Sequence, residues 1–244
     1  MAVLDEQKII TSGKTYRQDE WVIYPDGSKV LHETIKKTFD GLDGARYGLM
    51  SVSRDITERK KQEEQIQQLA FYDPLTKLPN RRMFQDKLQL MLTASSRDER
   101  LNALFFIDLD HFKTLNDTQG HNMGDQLLIA VAERIQDSLR DEDLVARLGG
   151  DEFVVMIAHL GSDEKTAIKA AKEVAKKIRL SICKPYNLSV NGDSDTKNEL
   201  VFHCTPSVGI SMFKSNSTSH DEILKQADVA MYQAKAAGRN TIRF

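Results

Sequence analysis

Hydrophobic and polar positions divide the chain into three textures. From residue 1 to about 55, short β-prone runs alternate with turn signals. Trp21-Val22-Ile23-Tyr24 leads into Pro25-Asp26-Gly27-Ser28, and a strand-like run extends from Lys29 to Phe39. Asp40-Gly41-Leu42-Asp43-Gly44 marks the next turn before a run from Arg46 to Ser53. This spacing predicts an antiparallel meander. The stretch from Asp55 to Gln65 is polar. Arg59 with Glu63 and Lys60 with Glu64 stand at the spacing of helical ion pairs, and Thr57 is a candidate N-cap. The apolar stripe of Ile56, Ile66, Leu69 and Ala70 is thin, so the segment reads equally as a solvated connecting helix or a short dimeric coiled coil.

From about Phe71 the pattern becomes α/β. Ala103 to Leu109 is a continuous apolar run ending in acids, as expected of a buried strand. Gly124 to Leu139 has helical spacing, and Asp143 to Arg147 with Phe153 to Ala158 flank a Gly-Gly turn as a predicted hairpin. Asp163 to Ile182 predicts a long helix with Ala- and Lys-rich faces. Tyr186 to Val190 and Leu200 to Phe213 read as strands joined by the polar loop Asn191-Gly192-Asp193-Ser194-Asp195. A final helix is expected over His220 to Ala237, stopped by Gly238, followed by a short strand from Thr241 to Phe244.

Composition narrows the class without naming a function. The chain has 244 residues, 40% of them hydrophobic and 29% charged, the balance of an ordinary globular protein. That length suits one large domain or a catalytic domain with a small module. A formal charge of -2 offers no basic excess for a nucleic-acid surface, although local cations can still hold phosphates. Cys183 and Cys204 are too few for a disulfide framework or a Cys-based zinc site and read as buried thiols in a reducing cytoplasm. No apolar run approaches the roughly 20 residues that span a bilayer, and the N-terminus lacks a signal-peptide pattern. A membrane segment in a longer parent protein stays compatible with this.

Two acidic clusters carry candidate chemistry. The first closes the apolar strand at Phe106-Ile107-Asp108-Leu109-Asp110, where period-two alternation puts Asp108 and Asp110 on one face if the strand continues that far. The second is Asp151-Glu152, directly after Gly149-Gly150. If the hairpin pairs beside the first strand, Asp108 and Asp151 meet and repel unless a cation holds them. Oxygen ligands without nearby His or Cys favour Mg²⁺ or Mn²⁺ over zinc, a donor set suited to phosphoryl or nucleotidyl transfer. Side-chain-free glycines let backbone amides approach phosphates. On spacing alone, a tight hairpin with solvated acids accounts for the same residues equally well.

Further motifs resemble one family, the GGDEF diguanylate cyclases. The resemblance rests on Arg147-Leu148-Gly149-Gly150-Asp151-Glu152-Phe153, on Phe106 to Asp117, and on Gly120-His121-Asn122-Met123-Gly124-Asp125. Asp73-Pro74-Leu75-Thr76-Lys77-Leu78-Pro79-Asn80-Arg81-Arg82 resembles the family's opening segment, and Ala227 to Lys235 with Gly238-Arg239-Asn240 its closing helix. The motifs run in the family's order over roughly residues 71 to 244. The fold implied is α/β (α+β): a central, mainly antiparallel sheet wrapped by helices, similar to polymerase palms and class III nucleotide cyclases.

The resemblance also implies roles. Asp108 and Asp151 match metal-ligand positions, with the Leu109 carbonyl as a backbone ligand. Asp151 further matches the position that accepts the 3′-hydroxyl proton, supported by Glu152, and Gly149 and Gly150 form the phosphate loop. Asn116 and Asp125 match guanine contacts, since a carboxylate accepts from the guanine N1–H and amino group. Lys113, Lys235 and Arg239 match phosphate contacts; four residues apart, Lys235 and Arg239 are expected on one helical face. His121 orients the nucleotide. Mg²⁺ or Mn²⁺ is the implied cofactor and GTP the substrate. A two-fold homodimer joins two GTP into cyclic di-GMP with release of two pyrophosphates. Arg140-Asp141-Glu142-Asp143 lies at the family's offset for an inhibitory product site, Arg140 forking onto guanine or phosphate and Asp143 accepting from a guanine edge.

Residues 1–55 resemble the back part of a PAS sensor domain, residues 56–72 a linker helix, and residues 73–244 the catalytic domain. The front of a complete PAS domain is not in the sequence, so no sensor cofactor is implied. The resemblance places the chain in a bacterial cytoplasm, with no nucleic-acid partner. The alternative function is a catalytically silent GGDEF module acting as a GTP or cyclic di-GMP receptor.

Overall fold

The computed structural model describes residues 9, 11–40, 42, 46–94, 100–190, 198–214 and 219–244. The chain divides into two compact units, Met1–Gln68 and Leu69–Phe244.

The first unit is the expected meander. Strands β1 (Tyr16–Ile23), β2 (Lys29–Asp40) and β3 (Arg46–Asp55) pair antiparallel in that order. The β1–β2 turn forms because Gly27 takes φ 84 and the Asp26 carboxylate accepts from the Ser28 amide and hydroxyl at 2.9 and 2.7 Å. Of the next expected turn, 41–44, all but Leu42 lies outside the described residues. One sheet face leaves Trp21, Ile35, Met50 and Val52 exposed around Glu33, which pairs with Arg17 and with Arg59.

Helix α1 (Thr57–Phe71) buries none of its residues, and Ile66 and Leu69 are exposed. Its cap differs from expectation. The Asp55 carboxylate accepts from the Thr57 amide at 2.8 Å, while Thr57 Oγ1 accepts from the Leu31 amide of β2. A hydroxyl drawn to a strand is lost to the helix end, and the preceding acid takes over. Arg59 reaches Glu63 at 3.9 Å as expected, but Lys60 also meets Glu63, at 3.5 Å, rather than Glu64.

In the second unit, α2 (Arg81–Ala94) precedes the central strand β4 (Leu101–Leu109), followed by α3 (Phe112–Gln119) and α4 (His121–Gln136). Next come the hairpin β5 (Leu144–Gly149) and β6 (Glu152–Ile157), α5 (Glu164–Ile182), and the ribbon β7 (Tyr186–Val190) and β8 (Asn198–Phe202). Strand β9 (Pro206–Lys214), helix α6 (His220–Ala236) and β10 (Ile242–Arg243) complete it. The expected strand from Leu200 to Phe213 is two strands broken at 203–205, and the polar loop at 191–195 lies outside the described residues. Cys204 is buried, but Cys183 is only partly so; both thiols are free.

The main sheet runs β10-β9-β4-β6-β5, antiparallel except where β10 joins β9. Its apolar central strand explains the architecture. Every residue of β4 is buried because helices cover both faces. Ala103, Phe105, Ile107 and Leu109 pack with residues of α4 and α5, including Leu127, Val131, Ala171 and Ile178. Leu104 and Phe106 pack with Phe84 and Leu88 of α2 and Ile223 and Met231 of α6. Gly209 of β9 permits the α6 contact, since a Cβ there would stand 2.1 Å from the Ala227 carbonyl oxygen. Asp108 has the parity of Leu104 and Phe106, and therefore faces α2 and α6.

Candidate active site

The site is built where β4 ends beside the Gly-Gly turn. Asp108 lies opposite Glu152 in the antiparallel β4–β6 register, so both carboxylates project to the α2–α6 face. A helix supplies each a counter-charge. Lys235 of α6 reaches Asp108 Oδ1 at 2.8 Å, and Arg81 at the start of α2 lies 3.7 Å from Glu152. Burial above all, with the neighbouring negative charges of Asp151 and Asp110, raises the Asp108 carboxyl to about 6 against the opposing pull of Lys235. Burial likewise raises Glu152, with Arg81 opposing and Asp151 and Asp228 adding to the rise. The result is a crowded acidic corner held by two cations.

The turn itself is open. Gly149 and Gly150 take φ 143 and 52, and no atom lies within 4 Å of where a Cβ would stand on either. An L side chain is strained at both, while the empty space admits a ligand close to the backbone. Arg147 fixes the turn from beneath. Its Nε and Nη2 donate to the Gly150 carbonyl at 3.0 and 2.8 Å, and its Nη1 donates to both oxygens of Asp73 at 2.9 and 3.1 Å. Asp73 also accepts from the Thr76 amide and hydroxyl at 2.8 and 2.7 Å. Neither Arg147 nor Asp73 had a predicted role, although both stand inside quoted motifs.

Asp110 departs from expectation. Strand β4 stops at Leu109, and the Asp110 carboxylate accepts from Thr205 Oγ1 (2.6 Å), Ser207 Oγ (2.7 Å) and the Asn240 amide (3.0 Å). It ties β4 to β9 and to the turn after α6, rather than sharing a ligand face with Asp108. Leu109 stands in register with Pro206, which has no N–H to offer its carbonyl. Among the described residues no group of three or more His, Cys, Asp or Glu side chains is arranged to hold a metal ion. The oxygen donors here are a carboxylate pair and backbone.

The remaining candidates lie on the helices after β4 and at the end of α6. His111, at φ 61, turns the chain from β4 into α3. Lys113, His121 and Asp125 are exposed, whereas Asn116 is half-buried, its Oδ1 buried without a hydrogen-bond partner among the described residues. Gly124 makes that position possible, because a Cβ there would stand 2.0 Å from Asn116 Oδ1. Asn116 and the Gly124–Asp125 segment thus meet at the α3–α4 corner.

Arg239 is not on the helical face of Lys235. Helix α6 ends at Ala236, Gly238 takes φ 105, and the Gly238 and Arg239 amides donate to the Lys235 and Ala234 carbonyls. This glycine-centred terminus turns the chain away, leaving Arg239 exposed at φ 64.

Arg140 and Asp143 form a tight turn at the far end of β5. Arg140 N donates to Asp143 Oδ2 at 3.0 Å and Asp143 N to the Arg140 carbonyl at 3.0 Å. The Arg140 side chain is 80% exposed. Burial raises the Asp143 carboxyl, against the pull of Arg140. The length of β5, roughly 20 Å at strand rise, separates this turn from the glycines.

Comparison with known proteins places this geometry. The family described as "Diguanylate cyclase, GGDEF domain" matches residues 70–241. The chain is 40% identical over 184 residues to the bifunctional diguanylate cyclase/cyclic di-GMP phosphodiesterase MucR of Pseudomonas aeruginosa, covering 75% of this chain but 25% of MucR. The solved GGDEF domain of TpbB from the same organism superposes with a TM-score of 0.62 at 37% identity, over 70% of this chain and 92% of that one. The coiled coil and GGDEF domain of DgcB from Caulobacter crescentus, solved with c-di-GMP, gives 0.65 at 27% identity, over 77% and 92%. A sheet carrying the Gly-Gly turn beside Asp108, and a match across most of the chain, lead to one assignment: the chain belongs to the GGDEF family, the domain of diguanylate cyclases.

Proposed function

We propose that this chain is an active diguanylate cyclase that joins two GTP into cyclic di-GMP and releases two pyrophosphates. One observation carries the reading: Asp108 and Glu152 stand opposite each other beside the open glycine turn that leads into Asp151, with the Lys235 ammonium 2.8 Å from Asp108, where a metal cation would neutralise it. That arrangement fits a hard divalent cation, Mg²⁺ or Mn²⁺, held by Asp108, Asp151 and the Leu109 carbonyl. When bound, the cation neutralises triphosphate charge and favours ionisation of the attacking hydroxyl.

The chain's own residues do the rest. Asp151 accepts the 3′-hydroxyl proton, and Glu152, restrained by Arg81, supports it. Gly149 and Gly150 offer backbone amides to the phosphates. Lys235, once released from Asp108, contacts phosphate together with Lys113 and Arg239. Asn116, whose buried Oδ1 has no hydrogen-bond partner among the described residues, and Asp125 read the guanine edge, and His121 orients the base. Residues 73–244 form the catalytic domain and 56–72 the helix joining it to the front sheet.

One site holds one GTP, so turnover requires two copies facing each other as a homodimer. The exposed Ile66 and Leu69 of α1 support pairing through that helix. Arg140 and Asp143 form the inhibitory product site. The front meander, residues 1–55, serves as the back part of a PAS-like input module, and the activity belongs in a bacterial cytoplasm.

The test is incubation with GTP and Mg²⁺ at protein concentrations that favour dimers, with nucleotides separated by chromatography. Cyclic di-GMP is expected from the wild type and not from Asp151→Ala, which loses turnover far more than GTP binding. GTP binding without product in the wild-type dimer would replace this reading with that of a silent receptor.

A further inference from the structure

Helix α5 carries Lys165, Lys169, Lys172, Lys176 and Arg179 at alternating steps of four and three residues. On a 3.6-residue period these steps confine the cations to one sector of about 80°. The lysines of this stripe are exposed and Arg179 is half-buried. With Lys177 against Glu164 and Glu173, the helix has a formal charge of +4 in a chain of -2. An exposed lysine face is ordinarily just solvated. Here its C-terminal half meets a second element.

Lys172, Lys176 and Arg179 line a groove of about 580 Å³ together with Asn240, Arg243 and Phe244 around β10. Glu173 contributes the one carboxylate side chain among the described residues that line it. The Lys172 ammonium stands 5.1 Å from the Phe244 ring centroid, and neither Lys176 nor Arg243 has an ion-pair partner among the described residues. Cations converging from two elements on a concave space repel one another, and an anion between them relieves this. The volume lies within the range of small-ligand sites.

We propose that this groove binds a phosphorylated small molecule, its phosphate between Lys176 and Arg243 and its less polar body against Phe244. Arg179 links it to the catalytic end. Its Nη1 donates to Asn240 Oδ1 at 2.7 Å and to the Asn240 carbonyl at 3.3 Å, and the Asn240 amide donates to Asp110 at 3.0 Å. Arg239 and Asn240 both hold positive φ, 64 and 45, a conformation that non-glycine residues keep only when neighbours enforce it. A phosphate that draws Arg179 into the groove loosens this turn, and with it Arg239 and the support of Asp110 beside Asp108. That regulatory consequence rests on the cyclase reading; the binding site does not.

The experiment titrates the isotope-labelled full chain with adenosine 5′-monophosphate at about 0.15 M salt, following backbone amides by NMR. Saturable shifts are expected at Lys176, Arg179, Asn240 and Arg243. The double variant K176E/R243E should bind at least about tenfold more weakly, and K165E/K169E, with the same charge change outside the groove, within about twofold of wild type. Absence of saturable shifts overturns the proposal. So does an equal loss in both variants, which would mean a diffuse field, or shifts confined to His121–Gln126, which would mean the guanine corner. Binding to phosphatidylserine vesicles without binding to the nucleotide overturns it as well. Turnover is not measured, so the outcome is independent of whether the chain is a cyclase.

Discussion

Arg147 and Asp73 stand 74 positions apart in the chain, yet one guanidinium nitrogen of Arg147 bonds both Asp73 carboxylate oxygens while the rest of the fork holds the Gly150 carbonyl. The opening segment of the second unit is thereby fastened to the glycine turn through a single, largely buried side chain. A lysine has the charge but not the fork. Arg147→Lys should therefore keep the ion pair and release the turn. A stability loss below about 1 kcal/mol with a turnover loss of about tenfold or more is expected, whereas Arg147→Ala should cost about 2 kcal/mol. Urea denaturation beside product formation from GTP separates the two effects. Full activity in Arg147→Lys would show that the turn needs no such anchor.

The same pair predicts acid sensitivity. Burial alone would raise the Asp73 carboxyl, but the Thr76 amide and hydroxyl and Arg147 outweigh it and hold the group below the usual carboxylate range. A depressed folded value means that stabilisation is present above the unfolded pKa of about 3.9 and is lost as pH falls through the folded value. The Tm advantage of the wild type over Asp73→Asn should shrink from about pH 5 to about pH 3. A constant gap across that window would remove Asp73 as its source.

Lys235 and Asp108 form the second decisive pair. Lys235→Met removes the cation that pulls the Asp108 carboxyl down, so Asp108, its side chain 10% exposed, is driven toward the protonated form beside Asp151. The metal-free variant should lose about 1–3 kcal/mol of stability. Added Mg²⁺ should raise its Tm more than that of the wild type, because no ammonium must be displaced. Turnover should fall by about 10² or more, since a cation is also missing from the phosphates. Thermal unfolding with and without Mg²⁺ checks the first two statements. A smaller Mg²⁺ shift in the variant would count against a metal at Asp108.

Arg140 offers the cleanest separation of regulation from catalysis. Its turn is closed by backbone groups and the Asp143 carboxylate, and its exposed side chain reaches Glu142 at 3.5 Å. Arg140→Ala should leave the fold and the initial rate nearly unchanged while weakening inhibition by added cyclic di-GMP about tenfold or more. Progress curves with and without added product decide this, and unchanged inhibition would take Arg140 out of the product site.

Much of this architecture was legible from local pattern alone. The unbroken apolar run of β4, the glycines between two β-prone runs and the Gly238 stop are consequences of period and backbone freedom, and each lies within a residue or two of its expected place. The family motifs added the residue types. Other features depend on partners remote in sequence. Period two put Asp110 with Asp108, but the strand ends one residue too soon, and Thr205, Ser207 and Asn240 claim its carboxylate. A four-residue spacing put Arg239 with Lys235, but the helix closes between them.

Sequence thus determined which acids, cations and glycines are the candidates for the site and which strand carries Asp108. Only the tertiary structure decided that Glu152 stands opposite Asp108, that Lys235 occupies its flank, and that Arg147 joins Asp73 to the turn. The physical reason is that side-chain direction follows local backbone period. Register and ion pairing are set by the packing of segments whose separation along the chain carries no periodic signal.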